Sequence, residues 1–256
     1  MSEQNPYQPP ADNAEAARAS AQLVGVKSVA AGRGLSWFGE GFEIFKLAPW
    51  IWILNVVLFF VILALLNSIP VVSILSSLLG PVFVAGLILG CRDLDVGNQL
   101  KISHVFAGFQ NRAGPLIGLG AINLILTILL VVIMFGGMYA VGSLDLEALE
   151  TGQISDQELM SMILAGLVMT LFMMPLLMLF WFAPALIVLH DDVGIIEAMK
   201  LSFLGCIKNV LPFLIYGLVG LLLMILASIP FGLGWLVLGP VLFGTIYASY
   251  KDIFLE

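Results

Sequence analysis

Three pairs of residues that could form ion pairs or bind an anion stand at the ends of long apolar stretches. Each pair joins a basic residue or a histidine to an aspartate, and the pairs are Arg92-Asp93, His190-Asp191 and Lys251-Asp252. Two pairs follow a proline at the same spacing, because Pro81 precedes Arg92 by 11 residues and Pro240 precedes Lys251 by 11. A cation suits the C-terminal end of a helix, where the carbonyl groups carry partial negative charge, but an aspartate does not. The aspartates therefore need partners elsewhere in the chain.

Three further basic residues lie where such partners are expected. They stand a few residues before the prolines that begin apolar stretches, and they are Lys46, Arg112 and Lys208. One hypothesis is that these cations hold Asp93, Asp191 and Asp252 in a ring of ion pairs that ties neighbouring helices together. The other is that basic residues of this set contact the phosphate headgroups of anionic lipids. The spacing leaves both open.

Polar side chains are scarce within the apolar stretches. Asn55 and Asn123 are the notable ones, and each can hydrogen-bond between helices or line a cavity. Acidic and basic residues are absent from the predicted spans, which argues against an ion-coupled transporter with a buried charged relay.

Catalytic and metal-binding motifs are not visible in the sequence. His104 and His190 have no cysteine or carboxylate cluster at metal-ligand spacing. Phosphate-binding loops, dinucleotide fingerprints and nucleophile elbows are missing as well. We therefore expect a protein that is not an enzyme and that holds no metal and no cofactor.

The elements that position these residues must lie in a lipid bilayer. Of the 256 residues, 61% are hydrophobic and 11% are charged, and the mean hydropathy is +1.08. Soluble domains carry about 25% charged residues, so this chain could not cover a surface that faces water. The predicted fold class is all-α, a polytopic membrane protein with six transmembrane helices. The net charge of -7 does not indicate nucleic-acid binding.

The six spans are expected to form three hairpin repeats at residues 34–93, 101–191 and 194–252. Each repeat begins with an amphipathic helix that should lie in the membrane interface, followed by a proline, a span, a turn and a second span. Pro175 and Pro184 should kink the fourth span. Apolar residues are predicted to share one face of each amphipathic helix. They are Trp37, Phe38, Phe42 and Phe45 in the first, Ile102, Val105, Phe106 and Phe109 in the second, and Ile196, Met199, Phe203 and Ile207 in the third, where they are expected to face inward.

Two segments are expected to work outside the bilayer, and both are candidates for contacts with a protein partner. Residues 1–33 are predicted to be a disordered cytoplasmic tail that precedes the membrane domain at 34–256. The tail contains Asn5, Pro6, Tyr7, Pro9 and Pro10, whose polyproline II tendency suits docking on an aromatic groove. Residues 142–158 form an acidic outer loop without Lys or Arg.

The distribution of positive charge predicts the orientation. All ten Lys and Arg residues fall in the tail, in the amphipathic helices or at the ends of the second and sixth spans. The positive-inside rule then places both termini in the cytoplasm and the acidic loop outside.

The chain resembles a family of uncharacterised bacterial inner-membrane proteins that pair a short NPYxPP-type tail with about six spans. The matching residues are Asn5–Pro10, Trp37–Pro49, Gly80-Pro81 with Arg92-Asp93, and Gly239-Pro240 with Lys251-Asp252. The resemblance covers most of the chain and implies a bacterial inner-membrane location, but it brings no agreed activity. We expect a non-enzymatic scaffold, assembly or regulatory partner of an envelope complex. The alternative is a transporter or lipid-handling protein with a central site in the helix bundle.

Overall fold

The regular structure of the protein is helical, as the sequence predicts. A computed structural model describes residues 23–69, 72–140 and 156–255. Within these ranges the single departure from helix and loop is an antiparallel bridge between Leu23 and Leu255. The described helices, in chain order, are α1 (Arg33–Leu47), α2 (Pro49–Asn67), α3 (Ser73–Asp95), α4 (Ala107–Gln110), α5 (Ala113–Ala140), α6 (Asp156–Phe180), α7 (Ala183–Leu189), α8 (Ile195–Lys208), α9 (Val210–Ser228) and α10 (Trp235–Phe254), with a 3-10 turn at Ile102–Phe106 leading into α4.

Prolines set several of the helix boundaries. Pro49 is the first residue of α2, where its missing N–H has no helical acceptor to lose. Pro184 lies at the start of α7, and the helix is interrupted just before it, between Phe180 and Ala183. Pro175 remains inside α6 without ending it. The break expected in the fourth span therefore occurs at Pro184.

Five stretches of described helix are long and apolar enough to cross a bilayer. They are Pro49–Asn67, Ser73–Asp95, Ala113–Tyr139, Leu159–Leu189 and Val210–Ser228. The predicted sixth span coincides with α10, which carries Thr245, Ser249, Lys251 and Asp252 and is not among the five. Most of α10 is buried by other helices, so it needs no apolar exterior. The prediction of six spans is supported for five, and a crossing by α10 is a proposal.

The short helices before α2, α5 and α9 each pack on a long helix of another part of the chain. Helix α1 packs on α10, and Gly41 and Gly244 face one another there at backbone distance. The 3-10 turn and α4 pack on α3 through Gly86 and Gly108. Helix α8 packs on α6 and α7. Since α1 is the first and α10 the last of the described helices, this pattern joins the two ends of the described chain.

The apolar residues predicted to share one face of these short helices differ in their exposure. In α1, Trp37, Phe38 and Phe45 are buried and Phe42 is 43% exposed. In the second segment Val105 is buried, whereas Ile102, Phe106 and Phe109 are exposed and His104 and Gly108 lie inward instead. The reason is that a 3-10 turn followed by one turn of α-helix does not keep the 3.6-residue period.

Helix α8 is also rotated from its expected orientation. Met199 is buried, but Ile196 is 59% exposed and Ile207 is 48% exposed. The inward side is formed by small residues, namely Ala198, Ser202, Gly205 and Cys206. The Ser202 hydroxyl donates to the Met178 carbonyl at 2.7 Å and accepts from the Phe182 N–H at 2.9 Å. These bonds satisfy backbone groups that lack a helical partner at the break between α6 and α7, which explains why a serine takes the inward position.

Candidate functional site

An extended strap formed by residues 23–32 joins the two ends of the described chain. The Val24 N–H donates to the Phe254 carbonyl at 3.0 Å, and the Lys27 N–H donates to the Ile253 carbonyl at 2.8 Å. The predicted disordered tail at 1–33 is therefore too long, because residues 23–33 are hydrogen-bonded to the rest of the protein. The tail residues Asn5, Pro6, Tyr7, Pro9 and Pro10, and nearly all of the acidic loop, lie outside the described residues.

Asn209, between α8 and α9, holds the strap in place. Its side chain is 1% exposed. The amide group donates to the Lys27 and Gly205 carbonyls, at 2.9 Å each, and its oxygen accepts from the Val29 N–H at 2.8 Å. One buried side chain thus satisfies backbone groups of both the strap and α8.

Asp252 is held by the first helix rather than by the cations expected to hold it. Its carboxylate accepts from the Arg33 guanidinium at 2.5 Å and from the Trp37 indole N–H at 2.7 Å. Arg33 also pairs with Glu40 at 2.7 Å. The predicted pairing of Asp252 with Lys46, Arg112 or Lys208 is wrong. The cause is the antiparallel packing of α1 on α10, which brings the start of α1 to the end of α10.

Asp93 likewise has local partners. It pairs with Arg92 at 3.1 Å and lies 3.0 Å from Nε2 of His104. Lys251, which follows the last apolar stretch, pairs with Asp95 at 2.8 Å, and the Tyr247 hydroxyl donates to the same carboxylate at 3.1 Å. Helix α3 continues beyond the expected end of its span, and Asp95 on its last turn is the residue that reaches α10.

The three cations expected to hold the aspartates have other contacts. Lys46 pairs with Glu43 on its own helix at 2.7 Å. Lys208 donates to the Val26 carbonyl of the strap at 3.1 Å. Arg112 does reach Asp191, but it donates to the backbone carbonyl, and it donates to the Val193 carbonyl at 2.7 Å. The Asp191 carboxylate, 4.0 Å away, is fully exposed. The ring of ion pairs is therefore replaced by separate pairs and backbone contacts.

His190, the other member of the His190-Asp191 pair, contacts a tyrosine of α10. His190 is buried, and its Nε2 lies 2.5 Å from the Tyr250 hydroxyl, with which it shares a hydrogen bond. Burial lowers the pKa of His190 from its ordinary value, and the nearby Asp192 and Asp191 oppose this shift. The ring is therefore expected to be neutral near pH 7.

The two asparagines within spans differ in their surroundings. Asn55 is fully buried and donates to the Lys101 carbonyl at 3.2 Å, at the start of the 3-10 turn. Its oxygen has no described partner. Asn123 is half-buried and accepts from Thr127 of its own helix at 3.5 Å. Asn55 thus joins two segments, as a polar residue within a span often does, while the described contact of Asn123 is local.

A lateral groove with a volume of about 660 Å³ lies between α6, α8, α9 and α10. This volume falls within the range of about 300–1,000 Å³ that is typical of ligand pockets. Apolar and aromatic side chains form nearly all of its wall, and neither Asn55 nor Asn123 is among them. The wall consists of Met174, Leu177, Met178, Trp181, Cys206, Val210, Phe213, Leu214, Tyr216, Gly217, Leu218, Gly220, Met224, Leu242 and Ile246.

An aromatic cluster gives the groove a firm base. The rings of Trp181 and Phe213 lie 6.1 Å apart edge to face, and those of Trp181 and Tyr216 lie 6.0 Å apart. Phe38 of α1 stacks on Tyr216 at 4.8 Å, and the Tyr216 hydroxyl is 2.9 Å from that of Thr245. The base therefore ties α1, α9 and α10 together. The α6 side differs, because no described side chain of α6 is fully buried.

The described residues contain no group of three His, Cys, Asp or Glu side chains placed to hold a metal ion. Cys91 and Cys206 are both buried and free. The shape and the apolar wall of the groove suit it to exclude water and to accept a hydrocarbon chain. It offers no general base and no nucleophile activated by a neighbour among its wall residues.

Sequence reasoning missed several residues of these contacts. They are Arg33, Trp37 as a donor, Asp95, Asn209 and Tyr250. A signal was available for Asn209, which is a polar residue at a helix junction three residues before Pro212. Asp95 lay two residues beyond the aspartate that was chosen. Nothing in the local sequence indicates that Tyr250 faces His190, because that contact depends on how α10 packs.

The chain is similar to a protein of Burkholderia thailandensis that is named a probable inner membrane protein. The two are 26% identical over 261 residues, which cover 88% of this chain and 92% of the relative. This chain is a multi-pass inner-membrane protein. The relative confirms the resemblance to bacterial inner-membrane proteins, and its name assigns no activity. No family model and no solved structure matches the chain.

Proposed function

We propose that this inner-membrane protein is a lipid-handling protein whose lateral groove takes up the acyl chain of a membrane lipid. The observation that carries the proposal is the apolar groove of about 660 Å³ between α6, α8, α9 and α10. Its position differs from the central site expected from the sequence, because the groove lies beside α9 and does not include the buried Asn55.

The bilayer supplies the occupant. Two walls of the groove, α6 and α9, belong to stretches that are long and apolar enough to span a membrane. In such a position the surrounding solvent is hydrocarbon, so a groove with a nearly all apolar wall fills with acyl chain rather than water. The α6 wall has no fully buried side chain, which suits a wall that moves aside to admit a chain.

The test is to fill the groove. Gly217 lies in its wall, and a Cβ added there meets nothing within 4 Å. Gly217→Phe should therefore fold and occlude the groove. Gly137→Phe is the matched control, because Gly137 is an exposed glycine of another span with the same free space. The readout is the number of lipid molecules retained after delipidation in mild detergent, measured by native mass spectrometry.

Wild-type protein and Gly137→Phe should retain one more lipid than Gly217→Phe. Equal retention by all three, with matching thermal stability, would show that the groove is not a lipid site. A photoactivatable fatty acyl chain gives a second readout, since crosslinks should map to α6 and α9 in the wild type and be lost in Gly217→Phe.

The arrangement of three hairpin units, with both termini in the cytoplasm, belongs to the same proposal. It is supported by the packing of each short helix on a long helix of another unit, with α1 closing on α10. The bridge between Leu23 and Leu255 supports a common side for the two ends of the described chain. Cysteine labelling from each side of the membrane tests this orientation.

The scaffold, assembly or regulatory role expected from the tail and the acidic loop remains a prediction. Affinity purification from native membranes, with the full chain and with a form that lacks residues 1–22, tests it. A stoichiometric partner lost with the tail would support that role. It would be compatible with lipid binding in the groove.

A further inference from the structure

Four of the nine described Lys and Arg residues have no carboxylate partner among the residues that the structure describes. They are Lys27, Lys101, Lys200 and Lys208, whereas Arg33, Lys46, Arg92, Arg112 and Lys251 each lie within 4.0 Å of a carboxylate. Lys27 belongs to the strap, and Lys208 reaches the strap carbonyl of Val26 at 3.1 Å. Uncompensated positive charge is thus gathered where the strap meets α8.

Two of these lysines share one side of α8. Lys200 and Lys208 are eight residues apart, an offset of about 80° around a helix. Both are exposed, as are Ile196, Leu204 and Ile207. Exposed apolar residues mixed with lysine are typical of a helix at a membrane surface, where the lysine reaches the headgroups. The single acid of α8, Glu197, lies in its first turn.

One end of the groove lies within two residues of Lys208, which is not itself a wall residue. Cys206 and Val210, on either side of it in the sequence, are wall residues at this end, and Met224 is a wall residue at the other. Val210 and Met224 are 14 residues apart on α9, which is about 21 Å at 1.5 Å per residue. Half of a hydrocarbon core is about 15 Å thick. The groove is therefore long enough for a chain from one leaflet, with its polar end at Lys208.

We propose that the groove selects an anionic phospholipid, whose acyl chain lies along α9 and whose phosphate contacts Lys208 and Lys200. This inference rests on the lipid-handling function proposed above and adds the class of lipid and the leaflet. An ammonium group has three donors, and Lys208 uses one for Val26, so two remain for phosphate oxygens. A lysine near an anionic surface contributes about fivefold in affinity, so two lysines contribute about 25-fold.

The experiment compares lipid selection in full-length protein reconstituted into nanodiscs of phosphatidylcholine and phosphatidylglycerol. Native mass spectrometry gives the ratio of the two lipids retained by the protein. The wild type should be enriched in phosphatidylglycerol, and K200Q/K208Q should retain a lipid with an enrichment about 25-fold lower. The single variant K208Q should lower the enrichment about fivefold, and Lys101→Gln is its matched control, because it also removes one lysine without a described carboxylate partner but is not part of α8. K200R/K208R keeps the charge and should keep the enrichment.

Two failures are distinguishable. If K200Q/K208Q keeps the wild-type enrichment, or if Lys101→Gln loses as much as K208Q, the headgroup inference is overturned while the groove stands. If Gly217→Phe retains as much lipid as the wild type, the acyl-chain groove itself is overturned. Thermal unfolding of each variant in the same nanodiscs verifies that exposed lysines were changed without loss of the fold.

Discussion

Two glycines of α1 should respond in opposite ways to the same substitution. A Cβ added at Gly41 would lie 2.6 Å from the Val241 carbonyl oxygen and 2.8 Å from the Thr245 backbone nitrogen. A Cβ added at Gly39, two residues earlier on the same helix, meets nothing within 4 Å. The contrast arises because Gly41 faces α10 across a backbone-to-backbone contact, while Gly39 points away from it.

The structure gives the size of the effect. To bring the Cβ of Gly41→Ala from 2.6 Å to an ordinary contact of 3.4 Å, α1 and α10 must separate by about 0.8 Å. Overpacking of this kind costs about 1–3 kcal/mol. Both substitutions gain about 0.5–1 kcal/mol of helix propensity, since alanine replaces glycine in a helix. That gain cancels in the comparison, so Gly39→Ala should be more stable than Gly41→Ala by about 1–3 kcal/mol.

Thermal unfolding in nanodiscs, followed by the helical circular dichroism signal, measures the difference. For a chain of this size a change of 1 kcal/mol shifts Tm by about 2–4 °C. Gly39→Ala should raise Tm slightly and Gly41→Ala should lower it. If the two variants have equal Tm values, α1 does not pack on α10 as the structure has it, and the reasoning from close glycine contacts is refuted.

Three further predictions concern the polar contacts. Asn209→Ala leaves backbone groups of the strap without partners, so it should lower the free energy of unfolding by about 2–4 kcal/mol and speed trypsin cleavage after Lys27. Asn111→Ala, at an exposed asparagine, is the control and should change the free energy of unfolding by less than about 0.5 kcal/mol. Asp252→Asn should lower the free energy of unfolding by about 1.5–3 kcal/mol in a chemical-denaturation assay, because it weakens the bonds to Arg33 and Trp37. Asp191→Asn, at a fully exposed carboxylate, should have no effect, and equal effects of the two variants would contradict these contacts of Asp252. Because burial lowers the pKa of His190, the imidazole of the unfolded chain takes up a proton at a higher pH than that of the folded chain. The free energy of unfolding should therefore fall as pH decreases below about 6.5, with a slope of up to about 1.4 kcal/mol per pH unit. His190→Gln should remove this contribution to the slope, and an unchanged pH profile in that variant would contradict the prediction.

The spans were predictable because one physical property decides them. A run of apolar residues long enough for a bilayer must be helical, since no other local structure satisfies its backbone in lipid. Pro49 then marks the start of α2. Helix α10 follows this rule only in part. Most of it is enclosed by other helices rather than by lipid, so it can carry the buried polar residues Thr245 and Ser249.

The ion pairs could not be predicted from the spacing of charged residues along the sequence, because the packing of the helices determines which charges meet. Arg33 was assigned to the tail, where nothing in the local sequence distinguishes it from the other tail residues. It pairs with Asp252 because α1 lies antiparallel to α10. The same holds for Asp95, which meets Lys251 because α3 extends one more turn. A pattern of charges identifies which residues need partners without identifying the partners.

The groove had no sequence signal of its own. Its wall draws residues from four helices, and in each one they look like ordinary lipid-facing or core positions. The unpaired lysines near its end could be counted from the sequence, but their lack of carboxylate partners could not. The lipid-handling alternative was therefore visible as a class, and the place where a lipid would lie was not.

The closure of α1 on α10 has a consequence for biosynthesis. Helix α1 is synthesised before α10, yet the surface that covers Gly41 belongs to α10. Roughly 200 residues separate them, which at about 5–20 residues per second is a delay of about 10–40 s. During that interval the first helix waits without its partner while the intervening spans are inserted. A stop codon between α9 and α10 would therefore leave the α10-facing side of α1 uncovered, and quality-control proteases would meet a protein whose α1 lacks its partner helix.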